Sequence, residues 1–147
     1  MKAFARCFVA LVLTAIPLSG LAQQYYSHVG VARAVKLRIL PGKTKEFYEA
    51  FAYAPKVFEA EKAAGIITGY VIYSSVNFEG PEKWDVMYVI FFKNMATLDT
   101  SGDLAEPVVA KVYGSPEKRA EVLRMRSEST EVVSSELVRE IQLKPLP

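Results

Sequence analysis

Residues 31–40, VARAVKLRIL, alternate between apolar and polar positions: Val35, Leu37 and Ile39 share one side of an extended strand, Lys36 and Arg38 the other. Pro41-Gly42 ends the strand. The period then changes. Phe47, Phe51, Ala54 and Phe58 recur at steps of four, three and four, which aligns them along one side of a helix over about residues 43–64. Pro55 interrupts this run and predicts a kink or a break, and Gly65 is a stop signal. Two strand-like runs follow, 66–75 and 84–92, joined by the polar stretch 77–83 with Gly80 and Pro81. So short a link makes them antiparallel neighbours. A weaker helical segment covers about 94–111, and Gly114 breaks it. Ser115-Pro116-Glu117 reads as a fresh helix start, ending near 127. A last strand occupies 131–143.

The order is strand, helix, strand, strand, broken helix, strand. This predicts an α+β fold: a ferredoxin-like βαββαβ sandwich, with a four-stranded antiparallel sheet and the helices on one face. Alternation divides the strands into two faces. Ile67, Gly69, Val71 and Tyr73 oppose Thr68, Tyr70, Ile72 and Ser74, and Trp84, Val86, Tyr88, Ile90 and Phe92 oppose Asp85, Met87, Val89 and Phe91. Strands two and three are therefore apolar on both faces, whereas a solvated face alternates cleanly. Something must cover the second face, and a second copy of the chain, sheet against sheet, is the expected cover.

The first 22 residues, MKAFARCFVALVLTAIPLSGLA, change the picture of composition. Lys2 and Arg6 precede an apolar run, and Gly20-Leu21-Ala22 offers a small-x-small cleavage signal. The run is too short for a stable membrane span. The expectation is a signal peptide over 1–22, a tail over 23–30, one domain over 31–143 and a short tail over 144–147, with a periplasmic or secreted location after cleavage near Ala22. The only cysteine, Cys7, falls inside the leader, so no disulfide supports the mature fold. Removing Lys2 and Arg6 leaves 16 basic against 16 acidic residues, which withdraws the argument for nucleic-acid binding that a pI near 8.6 suggests.

The stretches VKLRILPGKTKEFYEAF, GIITGYVIYSS, WDVMYVIFF and SSELVREIQL, spread over most of residues 31–143, resemble the dimeric α/β-barrel superfamily, and within it small exported bacterial members without an assigned activity. The resemblance implies a homodimer forming such a barrel through the open sheet face. The superfamily contains cofactor-independent monooxygenases, haem-degrading enzymes, dye-decolourising peroxidases and ligand-binding modules. It has no short invariant motif, so no catalytic residue is carried over.

Chemistry-bearing motifs are few. His28 is the sole histidine and falls in the expected tail, which disfavours haem ligation; with no mature cysteine there is no zinc or iron spacing signal either, and no cofactor is expected. There is no G-x-S-x-G elbow and no phosphate-binding glycine loop. The candidates that remain are aromatic and charged. Tyr70, Tyr73, Trp84 and Tyr88 bury rings while presenting polar tips. Lys36 and Arg38 suit an anionic or phenolic ligand, with Glu136 to orient the arginine; the competing reading is a charge pair between strands one and four. Three functions fit: binding of a small apolar or amphipathic molecule, a cofactor-independent oxygenase or isomerase of a small aromatic substrate, or a structural or stress-related dimer with a filled interior.

Overall fold

The computed structural model describes residues 25–77 and 79–145. The expected signal peptide and its cleavage site lie outside these residues. The elements are β1 (Tyr26–Ile39), α1 (Thr44–Phe51), α2 (Tyr53–Ala63), β2 (Gly69–Ser74), β3 (Val86–Phe92), α3 (Met95–Tyr113), α4 (Pro116–Ser129) and β4 (Thr130–Leu143). The strands form one antiparallel sheet in the order β2-β3-β1-β4. This is the ferredoxin-like sandwich.

The expected barrel is not formed. β2 and β4 are the two edges of an open sheet, separated by both central strands. Four strands of 6 to 14 residues are too few to curl round and meet; small closed barrels take about eight. The resemblance to the dimeric α/β-barrel superfamily is overturned in that respect, and what stands is an open sheet with helices on one face.

Helix boundaries follow local chemistry. The first helical run breaks at Ala52, three residues before Pro55. The restart at Tyr53 puts Pro55 in the first turn of α2, where its missing N–H would have had no intrahelical acceptor anyway. The Asn94 side chain accepts from the Thr97 N–H at 2.9 Å and caps α3. At the corner, Gly114 takes φ +80, which only glycine adopts freely, and Ser115 caps α4 by accepting from the Lys118 N–H.

The register settles which face is which. Val35, Leu37, Val86, Tyr88, Tyr70 and Ile72 face the helices. There Val35, Leu37 and Val86 pack on Phe47 and Phe51, and Phe92 packs with Phe58, Ile66 and Ile67. The helical stripe of Phe47, Phe51, Ala54 and Phe58 is therefore the inner face of α1 and α2. On the other face Val71, Val89, Ala34 and Glu136 run across the sheet in one row, with Tyr73, Met87, Lys36 and Ser134 in the next. None of the described residues covers that face, and Val71 and Tyr73 remain 37% and 45% exposed.

β1 begins at Tyr26, earlier than the expected Val31, and pairs with β4 to Tyr26↔Leu143. His28 thus lies in a strand, opposite Ile141, with its ring edge-on to Tyr26 at 5.4 Å.

Candidate functional site

The seven residues singled out from sequence do not converge. Lys36 and Glu136 form a 3.2 Å ion pair on the open face. The Ser134 hydroxyl, then Lys36, hold the Glu136 carboxyl below the usual range. Arg38 donates to the Lys83 carbonyl at 2.9 Å and to Glu131 at 3.0 Å, so it ties β4 and the β2–β3 connection to β1. Its carboxylate partner is Glu131, because the register puts Glu136 opposite Ala34. Tyr73 stands on the open face, and Trp84 lines a shallow surface cleft with Ser75, Val76 and Lys83. Tyr70 points the other way, towards the helices. Its ring packs on Phe58 and its hydroxyl donates to Glu59 at 2.9 Å, a bond that raises its pKa.

Tyr88 alone of the seven lines the internal cavity. This cavity, about 80 Å³, lies between the helices and the sheet. Phe51, Ala54, Val57, Phe58 and Val122 give it apolar walls, and Tyr88, Tyr113 and Arg126 bring polar atoms to it. Each polar group comes from a different element. β3 places Tyr88 among the rings of Phe51 and Phe58, at 6.3 and 5.5 Å. The last turn of α3 supplies Tyr113, stacked on Tyr53 of α2 at 5.2 Å with planes 10° apart. α4 supplies Arg126, whose guanidinium donates to the Tyr88 hydroxyl at 3.3 Å and sits 6.0 Å from the centre of that ring.

The electrostatics are unbalanced. Arg126 makes no ion pair with a carboxylate among the described residues. Arg126 is half-buried, and a partly desolvated cation without a counter-charge is less favourable than one in open water. Burial pushes the Tyr113 phenol up, and the nearby charges of Arg126 and Arg119 offset only part of that. Tyr113 therefore stays a neutral donor at ordinary pH. Tyr88, Tyr113 and a guanidinium without a carboxylate partner among the described residues thus meet apolar walls here, groups of the kind that suit an anionic or phenolic function. A wider outer cleft between α3 and α4 lacks this property, because its arginine, Arg119, is already held by both oxygens of Glu106. Among the described residues no cluster of three or more His, Cys, Asp or Glu side chains is placed to hold a metal ion, and no helix is long and apolar enough to cross a membrane.

Sequence reasoning missed Tyr113 and Arg126. For Arg126 the signal was present. Val122 and Ser129 are the buried positions of α4, and Arg126 lies four residues after one and three before the other, on the same stripe. Tyr113 had no comparable marker, since α3 carries no fully buried side chain to define its inner face.

No protein-family model matches the sequence, and no curated protein matches it. Several solved structures are similar to the chain at low identity, each with a TM-score below 0.5. A conserved protein of unknown function from Bacteroides thetaiotaomicron, described as a possible oxidoreductase, is 13% identical, with a TM-score of 0.49 over 78% of this chain and 100% of that one. A dimeric ferredoxin-like protein of unknown function from Thermobifida fusca is 11% identical, with a TM-score of 0.48 over 80% and 95%. HapK from Hahella chejuensis is 12% identical, with a TM-score of 0.44 over 75% and 91%. Likenesses of this order convey neither activity nor ligand.

Proposed function

We propose that this protein is a homodimeric binding protein for a small molecule with an apolar body and an anionic or phenolic head, held in the cavity between helices and sheet. The observation that carries the reading is Arg126: a guanidinium at the wall of an apolar cavity, bonded to the Tyr88 hydroxyl and without a carboxylate partner among the described residues. A ligand anion supplies the missing charge, and Tyr88 and Tyr113 orient it. At about 80 Å³ the cavity takes a single small ring only if its walls give slightly; an engineered cavity that binds benzene measures about 150 Å³.

The test uses 4-nitrophenol, whose absorbance reports its ionisation. The expected result is saturable binding that favours the phenolate, weakened at least tenfold, about 1.4 kcal/mol, by Arg126→Gln. Binding that is absent, or equally strong in the variant, overturns the assignment.

The dimer reading rests on the open sheet face, where β2 and β3 present Val71, Val89 and Phe91 with no cover among the described residues. Export rests on the basic, apolar and small-residue segments of residues 1–22. N-terminal sequencing of the protein expressed from the full chain in a bacterial host is expected to begin at Gln23; an intact Met1 on exported protein removes the leader reading.

A further inference from the structure

The helix layer leaves the last half of β4 uncovered. On the side of the sheet that faces the helices, β4 places Leu137, Arg139, Ile141 and Leu143 in succession, with Arg33 of β1 opposite Leu137 and His28 opposite Ile141. Leu137, Ile141 and Leu143 are 50%, 49% and 75% exposed, and Arg33 and Arg139 stand in solvent among them. A shallow cleft carries the strip on from Arg139 to Lys93, just past the end of β3. Arg33, Lys93 and Arg139 form no ion pair among the described residues, not even with Asp99 or Asp103 of α3. The carboxylates of this stretch lie on the other face: Glu136, paired with Lys36, and Glu140, which lies against Gly30. One side of the strand is therefore apolar and basic, and the reverse is acidic.

We infer that this strip docks on an anionic phospholipid surface. Leu137, Ile141 and Leu143 enter the boundary between headgroups and acyl chains, and the three cations meet the lipid phosphates. The first support is charge complementarity combined with apolar exposure. A small free anion would satisfy the arginines and leave the apolar side chains in water, whereas a bilayer surface accommodates both. The second support is where residues 1–24 join the fold. The Tyr25 carbonyl accepts from the Lys144 N–H at 2.8 Å, next to the Tyr26↔Leu143 pair, so those residues attach at the end of this strip. Their apolar run, Phe8 to Ile16, belongs to the export leader proposed above, and a leader engaged with a membrane brings this end of the fold to the bilayer. The inference is independent of the cavity and rests on the export reading for this second support.

Co-sedimentation with vesicles tests this on protein lacking residues 1–22, since every described element lies beyond that point. The expected result is binding to vesicles of equal parts phosphatidylglycerol and phosphatidylcholine, and binding at least tenfold weaker to phosphatidylcholine alone. One basic residue at such a surface is worth about a factor of five. Arg139→Gln should therefore weaken binding about fivefold, and Arg33→Gln/Arg139→Gln more than tenfold; the single variant serves alone if the double one misfolds by circular dichroism. Leu143→Ser should weaken it as well, which attraction to headgroup charge alone would not produce. No binding to the anionic vesicles overturns the inference, and so does an equal loss in Lys62→Gln/Lys111→Gln, lysines of α2 and α3 that do not line the strip. Arginine variants that loosen self-association while vesicles are ignored assign the strip to a second copy and overturn it too. A failed export reading shows separately, as the intact Met1 described above, and leaves vesicle binding unchanged.

Discussion

Phe47→Ala is expected to lower the unfolding free energy by about 3–5 kcal/mol, the range for emptying a phenylalanine site in a close-packed core. Phe47 has no exposed surface. It stacks on Phe51 at 5.1 Å and packs against Val35, Leu37 and Val86, so it joins α1 to the two central strands. Domains of this size are stable by about 5–15 kcal/mol, so the substitution removes about a fifth or more of that. Urea denaturation measures the effect: the midpoint should fall while the slope stays fixed. A loss below about 1 kcal/mol would mean that the helix layer is held to the sheet by something other than this cluster.

Asp85→Ala is expected to cost about 1–3 kcal/mol, although Asp85 belongs to no strand or helix. The last β1–β3 pair is Leu37↔Val86, so the Ile39 N–H projects beyond the end of β3 and has no strand carbonyl to meet. The Asp85 carboxylate takes that place at 2.8 Å. Its backbone N–H donates to the Leu37 carbonyl at 2.8 Å, and its carbonyl accepts from the Ser75 N–H at 2.9 Å. Alanine keeps both backbone bonds and leaves only the Ile39 N–H unpaired in a half-buried position. Asp85→Asn retains an acceptor and should recover most of the loss under the same denaturation. Equal losses in the two variants would show that charge, not the hydrogen bond, holds this corner.

Much of this fold was legible because few physical rules generate it. The change of period from two to three or four separated β1 from α1, and Pro55 announced the break between α1 and α2. Alternation also grouped the faces of β2 and β3 as the register has them, with Tyr70 and Ile72 together and Val86, Tyr88, Ile90 and Phe92 together. It could not tell which group meets the helices, because both are apolar. Tyr73 and Tyr88 were therefore placed in one site although they occupy opposite faces. β4 added a second obstacle. The register shifts between Lys36↔Ser134 and Leu37↔Val132, so Val133 is an extra residue, and simple alternation wrongly puts Val132 with Ser134 and Glu136. The candidate site suffered most, since it depends on Arg126 and Tyr113, from helices whose inner stripes are thin. The barrel had a different origin: it came with the family resemblance, and the alternation itself never required closure.

Pro107 gives α3 a further significance. It lies in the middle of the helix and has no N–H, so the Asp103 carbonyl lacks its usual intrahelical donor. Gly102 weakens the same stretch, and no side chain of α3 is fully buried. Local opening free energies differ across a fold, and elements with few buried apolar contacts open at lower cost than those that build the core. α3 is thus the part of the helix layer that detaches most readily while β1, β3 and α1 stay folded. Tyr113 is its last residue, so each such excursion unstacks Tyr53 and lifts one wall of the cavity. The small cavity between helices and sheet then has a weak seam along one wall, at the end of the helix that anchors least.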